Sequence, residues 1–245
     1  VMAARDSGFL QIHCATCQEV VDATLMAYRL AEDKRVRVPV IVNLDGFYLS
    51  FTREPVDIPD PAKAREFLPP FDPGPLKFRA GRPLSEAVAV LGGTPYSYFR
   101  YELHLAAMGA LAVYDEVVDD FARLFGRRYD AVESYRAEDA DYVFVMLGSF
   151  STKARDAVDG LRESGVAAGL VRPRLFRPFP VEALRRTLAG RKGVAVIDQN
   201  LSMGKGGVLH GELLSALYGV ADAPPVGAGC IGGPGGRATG PGEFG

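Results

Sequence analysis

Three short apolar runs, residues 142–147, 166–171 and 193–198, alternate with two segments whose apolar side chains recur at helical spacing. Short strands that alternate with amphipathic helices predict a βαβαβ unit. Because the runs are apolar throughout, we expect parallel strands covered by helices on both faces. Ligand sites in such sheets lie in the loops that follow the carboxyl ends of the strands. The candidate loops are residues 148–152, 172–180 and 200–207.

A second unit of the same kind is predicted nearer the start of the chain. Residues 8–13 and 38–46 are its strands, and both are expected to be buried. The helix between them begins at Thr16-x-x-Glu19, a capping box in which the hydroxyl accepts from the third helical amide and the carboxylate reaches back to the cap amide. These two strands and their helix form a βαβ unit separate from the first.

Helical spacing predicts three further helices. A long one covers residues 98–125, and Gly126 is expected to end it in a left-handed conformation. Shorter ones follow the apolar runs, at about residues 180–190 and 208–218.

Eight prolines lie between residues 55 and 83. Because proline removes backbone donors and restricts φ, this density predicts an extended crossing segment and a domain boundary. The predicted division is a first domain at 1–68, a linker at 69–97, a second domain with its leading helix at 98–222, and a Gly/Pro-rich tail without regular structure at 223–245.

The bulk numbers exclude several classes of partner. A formal net charge of −2 gives no reason to expect nucleic acid or an anionic membrane. No apolar run approaches the roughly 20 residues of a membrane-spanning helix. Three cysteines do not make a disulfide framework, so a cytoplasmic location is expected. A chain that enters an α/β unit directly after Val1 is also expected to be the later part of a longer polypeptide.

Cys14 and Cys17 form a C-x-x-C pair, and the second sulfur falls in the first turn of the predicted helix. A helix N-terminus lowers a thiol pKa, which would suit redox chemistry. The alternative is a structural role, which we favour because the capping box already accounts for the segment. Cys230 is isolated and expected to be inert.

The loops after residues 147 and 198 carry Ser149, Ser151, Thr152 and Lys205. Together they could hold a phosphate or carboxylate through backbone amides and the helix dipole. The alternative, which we favour, is that these residues serve as caps and turns. The three histidines, His13, His104 and His210, are scattered and fit no catalytic motif.

Arg5 and Asp6 precede the first strand. An arginine there could clamp a carboxylate with two parallel hydrogen bonds. A surface arginine beside an aspartate turn is the alternative.

Seven stretches resemble, in this order, the alpha subunit of the pyruvate:ferredoxin oxidoreductase (2-oxoacid:ferredoxin oxidoreductase) family. The most specific is Arg-Leu-Phe-Arg-Pro-Phe-Pro at 174–180. The others are residues 3–9, 18–22, 44–50, 125–129, 148–149 and 231–237.

The resemblance implies an α/β fold in two parts. Residues 1–68 would be the end of a doubly wound, pyrimidine-type thiamine diphosphate-binding domain, and residues 98–222 a transketolase C-terminal-like α/β domain with a parallel sheet. It also implies that Arg5 and Asp6 belong to the loop that approaches the substrate. No cofactor-binding or metal-binding residue of this chain follows from it.

The resemblance further implies coenzyme A-dependent oxidative decarboxylation of a 2-oxoacid, with pyruvate the expected substrate and ferredoxin the electron acceptor. Thiamine diphosphate, Mg²⁺ and [4Fe-4S] clusters would be held mainly by a beta subunit, by cluster-bearing subunits or by segments upstream of Val1. Two alternatives stay open: a non-catalytic scaffold or assembly module, and a thiamine-dependent enzyme without iron–sulfur clusters.

Overall fold

The structure is a computed structural model in which residues 1–74, 77, 79–84 and 93–230 are described. The helices are α1 (Cys17–Ala31), α2 (Pro61–Phe67), α3 (Gly93–Phe125), α4 (Phe150–Glu163), α5 (Val181–Leu188) and α6 (Val208–Leu217). The strands are β1 (Leu10–His13), β2 (Val40–Asn43), β3 (Val132–Tyr135), β4 (Tyr142–Met146), β5 (Ala168–Pro173), β6 (Leu175–Arg177), β7 (Gly193–Asp198), β8 (Leu201–Ser202), β9 (Gly206–Gly207) and β10 (Val226–Cys230).

The larger sheet has the order β10-β7-β4-β5-β3 and is parallel except for β3, which runs antiparallel to β5. This confirms the predicted βαβαβ unit, which runs β4-α4-β5-α5-β7. Helix α4 packs on one face, and α5 and α6 pack on the other. The central side chains Val145, Val171 and Val196 are therefore fully buried, which explains why these strands are apolar throughout.

The smaller sheet has the order β2-β1-β6, and β1 and β2 are parallel with α1 as their crossover. This confirms the second predicted βαβ unit. Leu10 and Ile12 pack in a core with side chains of α1 and α3. The expectation that β2 is buried is wrong, because β2 is half-buried at the edge of its sheet and pairs only with β1 in the described part of the chain.

Helix α3 is 33 residues long and begins five residues earlier than predicted. Gly126 follows it with φ +73°, as the sequence predicted. The prediction grouped this helix with the second domain, yet its buried side chains, such as Tyr114 and Phe121, pack in the core of the smaller sheet. The predicted domain limits stay a prediction. The linker at 69–97 includes residues 75, 76, 78 and 85–92, which lie outside the described residues.

Residues 172–180 were predicted as a single loop, which is wrong. Arg172 and Pro173 are the last residues of β5, and β6 pairs antiparallel with β1. The chain thus passes directly from the larger sheet into the smaller one. A three-residue strand that follows Arg174 and ends in Arg177 is too short to show an apolar run, so the sequence pattern could not reveal it.

The tail from residue 223 was predicted to lack regular structure, and this is wrong for Val226–Cys230. These residues form β10, which pairs in parallel with β7. A glycine-rich segment lacks the apolar side chains by which a strand is predicted. Here the backbone hydrogen bonds to β7 define the strand instead. Residues 231–245, including the last stretch of the family resemblance, lie outside the described residues. No helix in the described part of the chain is both long and apolar enough to cross a bilayer.

Candidate functional site

Strands from both sheets end at one cleft. His13, Asn43 and Asp198 close β1, β2 and β7, and the residues after β4 complete the wall. The cleft has a volume of about 320 Å³. The loops that follow β4 and β7 lie at the same edge of the larger sheet, as predicted from parallel strands.

A carboxylate from the smaller sheet occupies the N-terminus of α4. Asp45 Oδ2 accepts from the Ser149 amide at 2.6 Å and from the Ser149 hydroxyl at 2.7 Å. Gly148 permits this approach, because it has φ +69° and a Cβ there would lie 2.5 Å from Asp45 Oδ2. Ser151 and Thr152 donate their hydroxyls to carbonyl oxygens of the same turn. The favoured interpretation as caps and turns is therefore supported over an anion site.

A carboxylate also occupies the N-terminus of α6, which follows the glycine-rich loop after β7. Asp198 accepts from the amides of Leu209 and His210 at 3.1 and 3.0 Å, and burial raises the pKa of its carboxyl. A Cβ at Gly207 would collide with this carboxylate. Lys205 is exposed in the turn between β8 and β9. The amides that could cradle a phosphate therefore already bind a carboxylate.

His13 is a buried, neutral imidazole in the cleft wall. Burial lowers its pKa to about 4, and the amide nitrogen of Asn43 lies 3.1 Å from Nδ1. Its Nε2 has no hydrogen-bond partner within the described part of the chain. His104 is exposed on α3 and His210 lies in the first turn of α6, so the structure does not bring the three histidines together.

Cys14 and Cys17 are free thiols. Burial, and then the neighbouring Glu19 carboxylate, raise the pKa of Cys14 to about 12. Burial and a hydrogen bond with Glu54 also raise the pKa of Cys17, which is opposite to the lowering expected from the helix N-terminus. Because the thiolate is the reactive form, these pKa shifts support the structural interpretation.

Arg5 and Asp6 lie in a charged cluster with Arg177 and Glu212. Arg5 donates to the Met2 carbonyl at 3.0 Å, and the Asp6 carboxylate is mostly exposed. Arg177 donates its Nε to the Arg5 carbonyl at 3.1 Å and its Nη2 to Glu212 Oε1 at 2.6 Å.

A cavity of about 400 Å³ opens beside this cluster, with Arg100 and His104 of α3 in its wall. Among the described residues, three arginines and two acidic side chains line it. Such a wall suits a small carboxylate ligand, because arginine matches carboxylate geometry.

Sequence reasoning missed a buried ion-pair cluster between the two sheets. Arg172 and Arg174 both donate to Glu19 of α1 and to Glu133 of β3. Burial alone would raise the pKa of Glu19, but the charges of Arg172 and Arg174 outweigh it and lower the pKa to about 2. The available signal was two arginines flanking a proline after a buried apolar run.

The capping box is therefore only half confirmed. The Thr16 hydroxyl accepts from the Glu19 amide at 3.1 Å, as predicted. The Glu19 carboxylate bonds to the Ala15 amide at 2.6 Å instead of the Thr16 amide, because the two arginines draw it towards β5.

The donor sets of the described residues do not by themselves fit the expected cofactors. Two helix N-termini that could bind a diphosphate already face carboxylates, Asp45 and Asp198, which would repel it. No group of three or more ligating side chains suited to a metal ion occurs within the described residues. A [4Fe-4S] cluster requires four thiolates, and the sequence has three cysteines.

Two family descriptions match the chain. Residues 1–116 match "Pyruvate flavodoxin/ferredoxin oxidoreductase, thiamine diP-bdg", and residues 140–244 match "Pyruvate:ferredoxin oxidoreductase core domain II".

Curated relatives cover most of the chain. It is 38% identical over 216 residues to pyruvate synthase subunit PorA of Methanothermobacter thermautotrophicus. This match covers 88% of this chain and 56% of the relative. It is 39% identical over 227 residues to the subunit of the same name from Thermotoga maritima, covering 93% of this chain and 58% of the relative. The alpha subunit of NADH-dependent phenylglyoxylate dehydrogenase from Aromatoleum evansii is 37% identical over 225 residues, covering 89% and 54%.

A solved structure shares the fold. The 2-oxoglutarate:ferredoxin oxidoreductase from Magnetococcus marinus, with 2-oxoglutarate, coenzyme A and succinyl-CoA bound, has a TM-score of 0.55. It is 18% identical and the match covers 96% of this chain and 41% of that one.

The fold and these matches define the class: an α/β protein whose first part matches a thiamine diphosphate-binding domain and whose second part matches core domain II of pyruvate:ferredoxin oxidoreductase. Within that class, the chain belongs to the family of 2-oxoacid:ferredoxin oxidoreductase alpha subunits. It spans just over half the length of the curated relatives it matches.

Proposed function

We propose that this chain is part of the alpha subunit of an enzyme that oxidatively decarboxylates pyruvate. In this reaction the carboxylate leaves as CO₂, the remaining acyl group forms a thioester with coenzyme A, the thiol proton is released, and two electrons pass to ferredoxin. Thiamine diphosphate supplies the carbanion chemistry when it is bound in the complex. The observation that carries the proposal is the identity of 38–39% to pyruvate synthase subunits over nearly the whole chain.

We assign Arg5 and Asp6 to the substrate-proximal loop. The Arg5 side chain is 28% exposed at the edge of the 400 Å³ cavity, and its donors are not saturated by its bond to Met2. An arginine in this state can bind the carboxylate of a 2-oxoacid with charge-assisted hydrogen bonds. Asp6 is mostly exposed, and its carboxylate lies 3.7 Å from Arg5 Nε, where it partly balances the arginine charge.

The remaining chemistry is assigned to the complex. Thiamine diphosphate, Mg²⁺, [4Fe-4S] clusters and coenzyme A are bound mainly by a beta subunit, by cluster-bearing subunits or by other parts of the alpha subunit. Ferredoxin accepts the electrons, and the complex works in the cytoplasm without nucleic acid or membrane. In this chain, residues 1–68 complete the thiamine domain, residues 69–97 link the domains, residues 98–222 form the transketolase-like domain, and residues 223–245 form its tail.

The test is 2-oxoacid-dependent reduction of a viologen dye by the complete complex. We expect brown protein that reduces the dye when pyruvate and coenzyme A are both present. Dye reduction with a different 2-oxoacid and not with pyruvate would change the proposed substrate but support the same class of enzyme. CO₂ release without dye reduction would favour a thiamine enzyme lacking clusters, and a colourless, inactive oligomer would favour a scaffold.

Titration calorimetry tests the division of the cofactor site. We expect the isolated chain to bind thiamine diphosphate weakly, because the helix N-termini in its cleft already face Asp45 and Asp198. Tight, magnesium-dependent binding would contradict the proposal that partner segments hold the diphosphate.

A further inference from the structure

We propose that Arg177 is a positioning residue that keeps Glu212 away from Arg5, so that the Arg5 guanidinium stays available to the carboxylate of the 2-oxoacid. The inference rests on the proposed function, in which Arg5 binds substrate.

Glu212 is placed where it can compete for Arg5. Its Oε1 lies 2.6 Å from Arg177 Nη2 and 3.9 Å from Arg5 Nε. The Glu212 side chain is 26% exposed, so water screens it only in part. Without Arg177, the nearest cation to this carboxylate is Arg5.

The backbone of Glu212 is fixed, because its helix is anchored. It lies in α6, whose first-turn amides at Leu209 and His210 are bound by Asp198. From this fixed position on α6 the carboxylate is within 4 Å of both arginines, so a small movement of the side chain is enough to exchange Arg177 for Arg5.

Arg177 is itself held rigidly in place. It is the last residue of β6 and stands opposite Gln11 in the pairing with β1. Its Nη1 donates to the Phe176 carbonyl at 2.9 Å, and its guanidinium lies 4.7 Å from the centre of the Phe176 ring. A fixed arginine loses little conformational freedom when it binds Glu212.

Arg177 also holds the loop that carries Arg5. Its Nε donates to the Arg5 carbonyl at 3.1 Å. One guanidinium therefore fixes the backbone at Arg5 and pairs with Glu212, the more buried of the two carboxylates within 4 Å of Arg5 Nε. The other carboxylate, Asp6, lies 3.7 Å from both arginines and is 75% exposed, so water screens it more strongly. This arrangement couples β6 and α6 to the substrate-proximal loop, although neither Arg177 nor Glu212 needs to touch the substrate.

The test is steady-state kinetics on the complete complex, with pyruvate as the varied substrate and a viologen dye as the acceptor. In Arg177→Met we expect KM to rise about tenfold, because Glu212 now pairs with Arg5 and a charge-assisted hydrogen bond to substrate is lost. We expect kcat to change much less, since the chemistry is on the cofactor. Glu182→Gln, an exposed carboxylate paired with Arg185 on α5, is the matched control and should leave KM unchanged.

The decisive variant is the double substitution Arg177→Met with Glu212→Gln. If Arg177 acts by occupying Glu212, removing the competing carboxylate should return KM most of the way to the wild-type value. A purely structural role predicts the opposite, a KM as high as in Arg177→Met or higher. That result, or a fall in kcat at unchanged KM in Arg177→Met, would overturn the inference.

Arg177→Lys keeps the measurement possible if Arg177→Met fails to assemble. A lysine can reach Glu212 but cannot also bind the Arg5 carbonyl, so we expect a rise in KM of about threefold. Adding Glu212→Gln to Arg177→Lys should lower KM again, and a further increase would overturn the inference.

Arg5→Gln separates the inference from the proposed function. It should raise KM by at least as much as Arg177→Met. An unchanged KM in Arg5→Gln would overturn the assignment of Arg5 to substrate and, with it, the role of Arg177. A raised KM in Arg5→Gln with none in Arg177→Met would overturn the inference alone. A wild-type complex without activity on any 2-oxoacid would overturn the proposed function itself.

Discussion

At the residue scale, Gly148 and His13 show how single positions shape the cleft between the two sheets. Gly148 adopts φ +69° so that Asp45 can reach the first amide of α4. His13 stays neutral because burial lowers its pKa to about 4. The sequence places Gly148 directly after a predicted strand and His13 at the end of another. It does not predict the contact of Gly148 with Asp45 or the burial of His13.

Gly148→Ala should destabilise the chain. The new Cβ would lie 2.5 Å from Asp45 Oδ2 and would be held at a positive φ, so we expect a loss of about 2–3 kcal/mol in the free energy of unfolding. Gly160→Ala is the matched control, because nothing lies within 4 Å of a Cβ there and the site is inside α4. It should stabilise by up to about 1 kcal/mol. Denaturant unfolding of both variants measures the difference, and equal stabilities would refute the close approach to Asp45.

His13 should make stability depend on pH. Its pKa is about 4 in the folded chain and about 6.5 when unfolded, so the unfolded chain binds more protons between these values. The free energy of unfolding should therefore fall as the pH drops below about 6.5, by up to about 1.4 kcal/mol per pH unit, until the folded imidazole also protonates near pH 4.

Denaturant melts between about pH 7 and 5, above the usual carboxyl range, measure this slope. His13→Gln should flatten it. His104→Gln, at an exposed position on α3, is the control and should keep the wild-type slope. A slope that persists in His13→Gln would assign the pH dependence to other groups.

At the scale of elements, β5 and β6 are the least obvious part of the fold. The chain leaves the larger sheet at Pro173 and enters the smaller one at Leu175. On either side of Pro173, Arg172 and Arg174 reach Glu19 of α1. A pattern of apolar residues finds β5 but not β6, because β6 is defined by its partner β1 and not by its own composition.

Glu19→Gln should weaken this junction strongly. Arg172 and Arg174 are only 2% and 3% exposed, so removing the carboxylate leaves buried positive charge that Glu133 alone must balance. We expect a loss of about 3–5 kcal/mol in the free energy of unfolding. Glu116→Gln, in an exposed pair with Arg35, is the control and should change the free energy of unfolding little, because water screens the pair.

The effect of Glu19 should also disappear in acid. Its pKa is lowered to about 2 when folded, so its stabilising contribution is present above the unfolded pKa near 4.5 and is lost as the pH falls towards 2. The wild type and Glu19→Gln should therefore converge in stability on acidification, and a constant difference would argue against the ion pair as the cause.

At the scale of the whole molecule, the two sheets share contacts that separate domains would lack. β6 of the later part completes the sheet of the earlier part, the Glu19 cluster is buried between them, and Asp45 binds the first turn of α4. Long α3 packs in the core of the smaller sheet although it precedes the larger one. These contacts predict that the two cores unfold together.

Differential scanning calorimetry should show one cooperative transition for the chain. Glu19→Gln should move the whole transition to lower temperature without splitting it. Two separate transitions in the wild type would show that the shared contacts are too weak to couple the cores.

The sequence by itself determined the local elements of this protein. Apolar runs and helical spacing located β4, β5, β7 and the helices between them, because those side chains are buried against helices on both faces. The ordered family stretches also determined the class. These patterns depend only on residues close together in the sequence, so they predict a strand or helix without knowledge of the rest of the chain.

Tertiary structure alone decided where the sheets meet and which charges face one another. The pairing of β6 with β1, the pairing of β10 with β7 and the cluster of Arg5, Arg177 and Glu212 all join residues far apart in the chain. Backbone ladders and ion pairs depend on partners brought together by folding. No spacing within a single segment encodes them, so only the assembled sheets place Glu212 between two arginines.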